Sequence, residues 1–238
     1  MYAMNAGAVR AICFDLDNTL WEIDPVLERA ERILADWLRC RYPRIPERFS
    51  AADMLNARAA LLAEQPHQAH DFTYLRRETL ARLAAAAGYE RALADAMAHE
   101  AFSVWHAARC EVTPYDEVLP ALATLGASYR LATLSNGNAD LERIGLAHHF
   151  EVTLNAGALG CAKPDPRAYI ALSDRLTLKP AEILFVGDEP QADVMGPRAV
   201  GMQSVWVDRG RGVWPAALPA ADARVANLGE LAALLLKV

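Results

Sequence analysis

The chain has 238 residues, of which 53% are hydrophobic and 23% are charged, and this globular composition excludes disordered, collagen-like and low-complexity proteins. Its 24 basic and 30 acidic residues give a formal net charge of −6, which disfavours binding to nucleic acid or to anionic membrane surfaces. No apolar run reaches the roughly 20 residues of a membrane span, and the opening stretch lacks the features of a secretory signal. Because the four cysteines are scattered and lack CxxC spacing, we expect reduced thiols in a cytoplasmic protein: Cys13, Cys40, Cys110 and Cys161.

Short apolar runs alternate with helical patterns along most of the chain. The runs have the length of strands and are almost continuously hydrophobic, and they lie at residues 9–14, 129–134, 151–154, 182–186 and 203–207. The helical patterns between them cover residues 115–125, 138–146, 165–175 and 193–199. This alternation indicates βαβ units, so the sequence predicts an α/β fold with a parallel sheet. We expect the tail after residue 210 to add a last strand and helix.

Residues 21–110 show no strand pattern and predict an all-helical insert. Their apolar residues recur at helical spacing in four segments, at residues 25–39, 50–65, 71–87 and 90–109. Ser50 and Asp71 are placed to cap the second and third helices, and proline or glycine interrupts the pattern between segments. Four helices of this length predict a small bundle. The predicted domains are an α/β core of residues 1–20 and 111–238 and a helical insert of residues 21–110.

Polar residues follow four of the predicted strands, at the point where each strand ends. They are Asp15 and Asp17 after the first strand, Ser135, Asn136 and Gly137 after the second, Lys163 after the third, and Gly187, Asp188 and Asp193 after the fourth. The carboxyl ends of parallel strands form the edge at which open α/β sheets bind ligands. Crowded carboxylates repel each other unless a cation joins them, and oxygen ligands without histidine or cysteine favour a hard cation such as Mg²⁺.

Each of these segments has a purely structural interpretation when it is taken alone. The first could be a polar turn, the second a turn that opens a helix, and Lys163 a surface lysine. Asp188 and Asp193 could be a helix cap and part of a solvated face. Turn preferences do not account for four such segments at four consecutive strand ends. We therefore interpret them as one site.

The segments FDLDNTL, LSNGN, CAKPDP and GDEPQAD resemble, in this order, the four motifs of the haloacid dehalogenase-like (HAD) hydrolase superfamily. The resemblance covers roughly residues 9–20 and 111–208, and the helical insert is similar in position and type to the helical cap of that family. It implies a Rossmann-like parallel-sheet core with an inserted four-helix-bundle cap, and a phosphatase that acts on a small soluble phosphate ester.

The resemblance also implies a role for each matching residue. Asp15 is the nucleophile that forms an aspartyl-phosphate, and Asp17 protonates the leaving alkoxide and then activates water. The phosphoryl group is held by Ser135, the amides of Asn136 and Gly137 at a helix start, and Lys163. Mg²⁺ is held by the carboxylates of Asp15 and Asp188 and the carbonyl of Asp17, with Asp193 acting directly or through water.

Other reactions of the superfamily fit the sequence less well or stay open. Its haloacid dehalogenases lack the second aspartate of the first motif and need no metal, so the presence of Asp17 argues against dehalogenation. Its phosphonate-cleaving members use a lysine of the cap, whereas no lysine precedes Lys163. A sugar phosphomutase, or a phosphatase of phosphoglycolate or nucleotides, stays an alternative. A non-catalytic binding protein is disfavoured because the motif residues are intact.

The helical insert is expected to contact the leaving group of the ester. Trp21, Tyr74, Arg76 and Arg77 are candidate specificity residues, because aromatic rings and guanidinium groups suit flat or anionic groups. Alternatively, Trp21 packs where the chain leaves the core for the insert, Tyr74 packs between the helices of the insert, and the two arginines are solvated. The segment AEQPHQAHDFTYLRRETLARLAAAAGY, together with SNGNADLERIGLAHHFEVTLNAGALGCAKP, looks like the bacterial flavin mononucleotide phosphatase-like subgroup. That resemblance implies flavin mononucleotide or a riboflavin-pathway phosphate as substrate and leaves the oligomeric state open.

Overall fold

The computed structural model describes residues 6–236, and their contacts divide the chain into two units. Of the described residues, the α/β unit contains those up to Glu22, Thr113–Gly137 and those from Leu141 onward. The helical unit contains Ile23–Val112 and Asn138–Asp140. Its main segment begins and ends two residues later than the predicted insert of residues 21–110. The short segment after Gly137 also belongs to it, which the sequence pattern does not indicate.

Six parallel strands form the sheet of the α/β unit. They are β1 (Ala11–Phe14), β2 (Arg130–Ser135), β3 (Val152–Asn155), β4 (Ile183–Gly187), β5 (Gln203–Val207) and β6 (Ala223–Val225). Their order across the sheet is β3-β2-β1-β4-β5-β6, and Phe14 at the end of β1 lies opposite Thr133 and Val186. Every residue of β1 and β4 is buried, which explains their continuous hydrophobicity. The predicted α/β fold with a parallel sheet is therefore confirmed.

Four long helices and one short helix make up the helical unit. They are α1 (Asp24–Arg41), α2 (Arg44–Arg48), α3 (Ala51–Glu64), α4 (Phe72–Ala86) and α5 (Arg91–Arg109). Buried apolar side chains of α1, α4 and α5, such as Leu34 and Leu80, pack into one core cluster. Ser50 caps α3 in a capping box with Asp53, and Asp71 caps α4 through the backbone N–H of Tyr74, so both predicted caps are confirmed.

The short helix α2 is not predicted by the sequence, because the prolines of RYPRIPE indicate a break between helices. Pro43 stands just before its first turn, where the fixed φ of proline fits helical geometry and the missing N–H costs no hydrogen bond. Ile45 is fully buried in the core cluster of the helical unit. The burial of this side chain stabilises a helical turn where the pattern predicted a break.

Within residues 6–236, the α/β unit contains six further α-helices. They are α6 (Val118–Gly126), α7 (Leu141–Ile144), α8 (Ala156–Leu159), α9 (Pro166–Leu176), α10 (Gly196–Ala199) and α11 (Leu228–Leu236). The predicted helix over residues 138–146 is wrong in extent, because Gly145 adopts a φ of 85° after the single turn of α7. The helix predicted over residues 193–199 instead begins as a π-helical turn, Pro190–Met195, which continues into α10. The predicted last strand and helix are confirmed as β6 and α11.

One face of the sheet packs against α9. Cys13 of β1, Phe185 of β4 and Leu172 of α9 belong to the same buried cluster. The hydroxyl of Tyr169 on α9 donates a 2.5 Å hydrogen bond to the carbonyl of Ala192, so α9 also holds the π-helical turn in place. Within residues 6–236, no helix combines the length and the apolar character needed to cross a membrane.

Candidate active site

The polar residues that follow β1, β3 and β4 converge in the α/β unit. Asp15 directly follows β1, and its N–H continues the ladder by donating to the carbonyl of Val186 on β4 at 2.9 Å. Asp15 and Lys163 are both buried, as is Asp193 in the π-helical turn. The structure therefore brings together side chains that lie far apart in the sequence, at the edge where such sheets bind ligands.

Lys163 joins two of the carboxylates. Its Nζ donates hydrogen bonds of 2.7 Å to Oδ1 of Asp15 and 2.7 Å to Oδ1 of Asp193, and the side chains of Lys163 and Asp193 are only 2% and 1% exposed. Burial lowers the pKa of Lys163, but the two carboxylates outweigh burial and raise the pKa above its usual value. Lys163 is therefore a fixed positive charge in a site with little access to water.

One carboxylate oxygen from each of Asp15, Asp188 and Asp193 lies within 4.8 Å of the other two. Burial raises the pKa of Asp15 well above its usual range despite the nearby Lys163, and burial followed by repulsion from Asp193 raises the pKa of Asp188 to about 7. One ammonium thus balances three crowded carboxylates only in part. A largely buried set of oxygen donors whose negative charge is only partly balanced fits a hard divalent cation such as Mg²⁺.

Two residues that the sequence analysis did not assign hold Asp188 in place. The hydroxyl of Thr19 lies 3.3 Å from Oδ1 of Asp188 as a hydrogen-bond donor, and Nε1 of Trp206 on β5 donates to the carbonyl of Asp188 at 2.8 Å. Thr19 belongs to the FDLDNTL segment, so its position in the motif was a signal for it. Trp206 comes from a strand without a motif, and no signal in the sequence indicated its contact.

Asp193 is held from two sides and requires a glycine beside it. Its Oδ2 accepts the backbone N–H of Glu189 at 3.0 Å, while its Oδ1 accepts from Lys163. A Cβ atom at Gly187 would lie 2.3 Å from Oδ2 of Asp193, closer than any van der Waals contact. The absence of a side chain at residue 187 therefore lets the Asp193 carboxylate lie directly against the end of β4.

The segment after β2 is fixed mainly by its own side chains. Asn136 Nδ2 donates to the carbonyl of Lys163 at 2.9 Å, and its Oδ1 accepts the N–H of Lys163 at 2.7 Å. The N–H of Gly137 donates to Oγ of Ser135 at 3.0 Å. The prediction that a helix starts at Asn136 and Gly137 is wrong, because α7 begins only at Leu141. These two residues lie in a loop instead. Asn136 thus couples the second motif to the third.

Asp17 points its carboxyl group to Trp21 in a tight turn. Nε1 of Trp21 donates to Oδ1 of Asp17 at 2.8 Å, and the Trp21 side chain is fully buried. The side chain of Asp17 is not part of the carboxylate cluster of Asp15, Asp188 and Asp193. Of the two interpretations of Trp21, the burial of the ring supports packing rather than contact with the substrate.

The candidate specificity residues of α4 have different surroundings. The Tyr74 hydroxyl donates to Oε1 of Gln65 at 2.8 Å. Arg76 donates to Oε1 of Glu31 at 2.6 Å and lies 3.8 Å from the ring centroid of Trp105. Arg77 instead lines, together with Tyr74, a cavity of about 430 Å³ within the helical unit. The guanidinium group of Arg76 is therefore held by Glu31 and Trp105, whereas Arg77 lines the cavity.

Comparison with known proteins identifies relatives along most of the chain. The sequence profile of the haloacid dehalogenase-like hydrolases matches residues 9–201. The chain is 32% identical over 204 residues to the 5-amino-6-(5-phospho-D-ribitylamino)uracil phosphatase YigB of Escherichia coli (strain K12), covering 84% of both proteins. It is 46% identical over 107 residues to a phosphoserine phosphatase of Thermus thermophilus, covering 42% of both proteins.

Comparison with solved structures also finds haloacid dehalogenase-like proteins. The structure of a 2-haloacid dehalogenase from Pseudomonas syringae pv. Tomato DC3000 matches with a TM-score of 0.92 and 34% identity, over 96% of this chain and 99% of that chain. A HAD phosphatase from Thermococcus onnurineus, at 21% identity, shares the fold with a TM-score of 0.68. The chain therefore belongs to the haloacid dehalogenase-like hydrolases, and the family indicated by its four motifs is confirmed.

Proposed function

We propose that the protein is a Mg²⁺-dependent phosphomonoester hydrolase that acts on a small soluble ester through a phosphorylated Asp15. The contact between Lys163 and Asp15 carries the proposal. Lys163 donates to Oδ1 of Asp15, which leaves Oδ2 as the oxygen that attacks phosphorus. A buried ammonium beside an anionic nucleophile offsets the repulsion that a phosphate dianion would otherwise meet.

The proposed reaction has two displacements at phosphorus. Oδ2 of Asp15 forms a bond to phosphorus while the ester P–O bond breaks, and Asp17 gives its proton to the leaving alkoxide. Asp17 then takes a proton from water, whose oxygen attacks the aspartyl-phosphate and releases inorganic phosphate and the Asp15 carboxylate. Ser135 and Lys163, with the amides of Asn136 and Gly137, hold the phosphoryl oxygens during both steps, for which the N–H of Gly137 turns from Oγ of Ser135 to the phosphoryl group.

The carboxylates of Asp15 and Asp188 and the backbone carbonyl of Asp17 are the proposed Mg²⁺ ligands. When bound, the ion supplies positive charge to the phosphoryl oxygens. Asp193 belongs to the same carboxylate cluster, but both of its oxygens already accept hydrogen bonds, from Lys163 and from the N–H of Glu189. Its proposed contribution is therefore to fix Lys163 and to reach the ion directly or through water.

Phosphate release from a panel of esters tests the proposed reaction. We expect the wild type to release phosphate with Mg²⁺ and to lose this activity in EDTA. Asp15→Asn, which keeps the shape of the side chain but removes the nucleophile, should reduce kcat by about 10³-fold or more. Asp174→Asn on the exposed face of α9 is the matched control and should behave as the wild type. Retained activity in a folded Asp15→Asn variant would contradict the proposal.

For the substrate we propose flavin mononucleotide or a phosphorylated precursor in riboflavin synthesis. The similarity to the E. coli ribitylaminouracil phosphatase supports this choice, because it extends over 84% of both chains. The phosphoserine phosphatase matches over only 42% of its length and supports a small phosphate ester in general. Values of kcat/KM for these esters, phosphoglycolate, nucleotides and hexose phosphates would rank the candidates. A higher value for any of the others would reassign the substrate.

Leaving-group recognition is proposed for the helical unit, in the manner of a cap. Arg77 and Tyr74 are the residues that we assign to it, because they share the lining of one cavity. Arg77 would supply a positive charge and Tyr74 an aromatic face, which suit a flat leaving group with an anionic part at Arg77. The carboxylates that line the same cavity would suit its hydrogen-bond donors; they are Asp71, Glu78 and Asp95.

Dehalogenation is a second candidate, because the P. syringae structure with a TM-score of 0.92 is described as a 2-haloacid dehalogenase. The family resemblance argues against it, since haloacid dehalogenases lack the aspartate that this chain has as Asp17. Halide release from 2-chloropropionate, measured beside phosphate release, separates the two reactions. Halide release without phosphate release would overturn the phosphatase proposal.

A further inference from the structure

We propose that Trp21 is a positioning residue for Asp17, and that its indole N–H fixes the carboxyl group in the orientation needed for proton transfer. The inference rests on the proposed phosphatase function, in which Asp17 gives a proton to the leaving group. It adds a catalytic-site role for a residue that lies outside the four motifs and that the sequence indicated only for substrate contact or for packing.

The hydrogen bond between the two side chains is the first observation. Nε1 of Trp21 lies 2.8 Å from Oδ1 of Asp17, and the indole ring is fully buried. An indole N–H can only donate, so Oδ1 must act as an acceptor in this bond. The proton that Asp17 transfers is therefore carried by Oδ2, and rotation of the carboxyl group would break a partly buried hydrogen bond.

The backbone around the pair keeps the indole from moving away. The N–H of Asn18 donates to the carbonyl of Trp21 at 2.7 Å, and Asn18 has a φ of 63° in the left-handed region. Trp21 also forms isolated β-bridges with Asp17 and with Pro114. The turn from Asp17 to Trp21 is thus closed by backbone and side-chain bonds together, which makes the orientation of the carboxyl group a property of the fold.

The cost of losing this orientation depends on the leaving group. An alkoxide is a poor leaving group and needs the proton from Asp17, whereas p-nitrophenolate leaves readily without one. Removal of the indole N–H should therefore slow hydrolysis of alkyl phosphates more than hydrolysis of p-nitrophenyl phosphate. A defect in packing alone would slow both reactions equally.

Trp21→Phe is the test variant, and Trp37→Phe in α1 is the matched control, since Trp37 packs against Tyr42 of the helical unit. We expect Trp21→Phe to lower kcat for an alkyl phosphate such as flavin mononucleotide by about 10-fold, with KM unchanged and a smaller loss for p-nitrophenyl phosphate. In an Asp17→Asn background the same substitution should cause no further loss. Equal losses on both esters, an effect on KM alone or additive losses would overturn the inference.

A second pair of measurements covers the case in which Trp21→Phe does not fold. Site-specific benzothienylalanine at residue 21 keeps the shape of the ring and replaces the N–H by sulfur, and it should give the same selective loss. In the ¹H–¹⁵N spectrum, Asp17→Asn should shift the indole resonance of Trp21 but not the other four of the five tryptophans. An unmoved Trp21 resonance would overturn the inference, while a wild type that hydrolyses no ester would overturn the proposed function itself.

Discussion

The ammonium group of Lys163 lies 2.7 Å from Oδ1 of Asp15, although 148 residues separate the two in the sequence. We expect Lys163→Met to reduce kcat for phosphate release by about 100-fold, because the nucleophile and the phosphoryl oxygens lose their fixed positive charge. Lys163→Arg should not restore activity, since the planar guanidinium group is larger than the buried space of an ammonium. Steady-state kinetics at saturating Mg²⁺ would measure both, and wild-type activity in either folded variant would contradict the expectation.

The loss of Lys163 should also destabilise the fold. Asp15 and Asp193 would then lie in a buried site without the charge that they share. Breaking a buried ion pair by removing one partner costs about 3–5 kcal/mol. Thermal unfolding without Mg²⁺ should therefore show a lower Tm for Lys163→Met than for the wild type. An unchanged Tm would mean that the two carboxylates are neutral in the folded state.

Gly187→Ala should damage the site through Asp193. The new methyl group would lie 2.3 Å from Oδ2 of Asp193, so the carboxylate or the end of β4 must move. We expect a loss of about 2 kcal/mol in the free energy of unfolding and a lower kcat. Gly126→Ala is the matched control, because the nearest atom to its new methyl group would lie at an ordinary 3.5 Å. Urea denaturation of both variants would reveal the difference, and equal stabilities would argue against a close contact at Gly187.

A pH-dependent contribution to stability is expected from Glu117 and Arg209. Nη2 of Arg209 donates to Glu117 at 2.8 Å, and the side chains of Arg209 and Glu117 are 11% and 29% exposed. Burial raises the pKa of Glu117, but the hydrogen bond and charge of Arg209, together with backbone hydrogen bonds, outweigh burial and hold the pKa below its usual value of 4.5. A carboxyl group with a lower pKa in the folded state stabilises the fold above the unfolded pKa and loses this contribution as the pH falls.

Glu117→Gln should therefore be less stable than the wild type by about 1 kcal/mol at pH 7, with the difference shrinking as the pH falls below 4.5. Urea denaturation of both proteins at several pH values measures this difference in the free energy of unfolding. Glu151→Gln is the control, because the Glu151 side chain is 50% exposed and its ion pair with Arg130 is screened by water. A stability difference between Glu117→Gln and the wild type that grows towards acid pH would contradict a stabilising ion pair between Glu117 and Arg209.

The neighbouring arginines of α4 should differ in their effects. Arg76→Ala removes a hydrogen bond to Glu31 and a stacked contact with Trp105, so we expect a lower Tm. Arg77→Ala removes only a residue of the cavity lining, so we expect an unchanged Tm and a KM for the ester raised about 10-fold. Kinetics and thermal unfolding of the two variants would test this, and the opposite pattern would exchange their roles.

The sequence predicted the features of this protein that depend on pattern and order. The apolar runs that became β1 and β4 lie at the centre of the sheet, where burial on both faces enforces continuous hydrophobicity. Asp15, Lys163, Asp188 and Asp193 were predicted to form one site from their places at strand ends, and their carboxylate and ammonium groups lie together. Topology alone was sufficient for this inference.

Other features depend on packing that a single sequence does not encode locally. The helix α2 forms because Ile45 finds a buried site, and α7 stops after one turn because Gly145 adopts a positive φ. The different surroundings of Arg76 and Arg77 follow from the rotation of α4 against α1 and α5. The contact of Trp206 with Asp188 joins two strands whose adjacency is known only from the sheet order.

The outer strands of the sheet are short: β3 has four residues and β6 has three. Each offers only a few backbone donors and acceptors to a further strand, and Arg224 places a charged side chain in the middle of β6. Short and charged borders of this kind are a recognised protection against continuous strand addition between molecules. The two sides of the sheet therefore provide little template for fibril-like growth, which benefits a protein whose central strands are as apolar as β1 and β4.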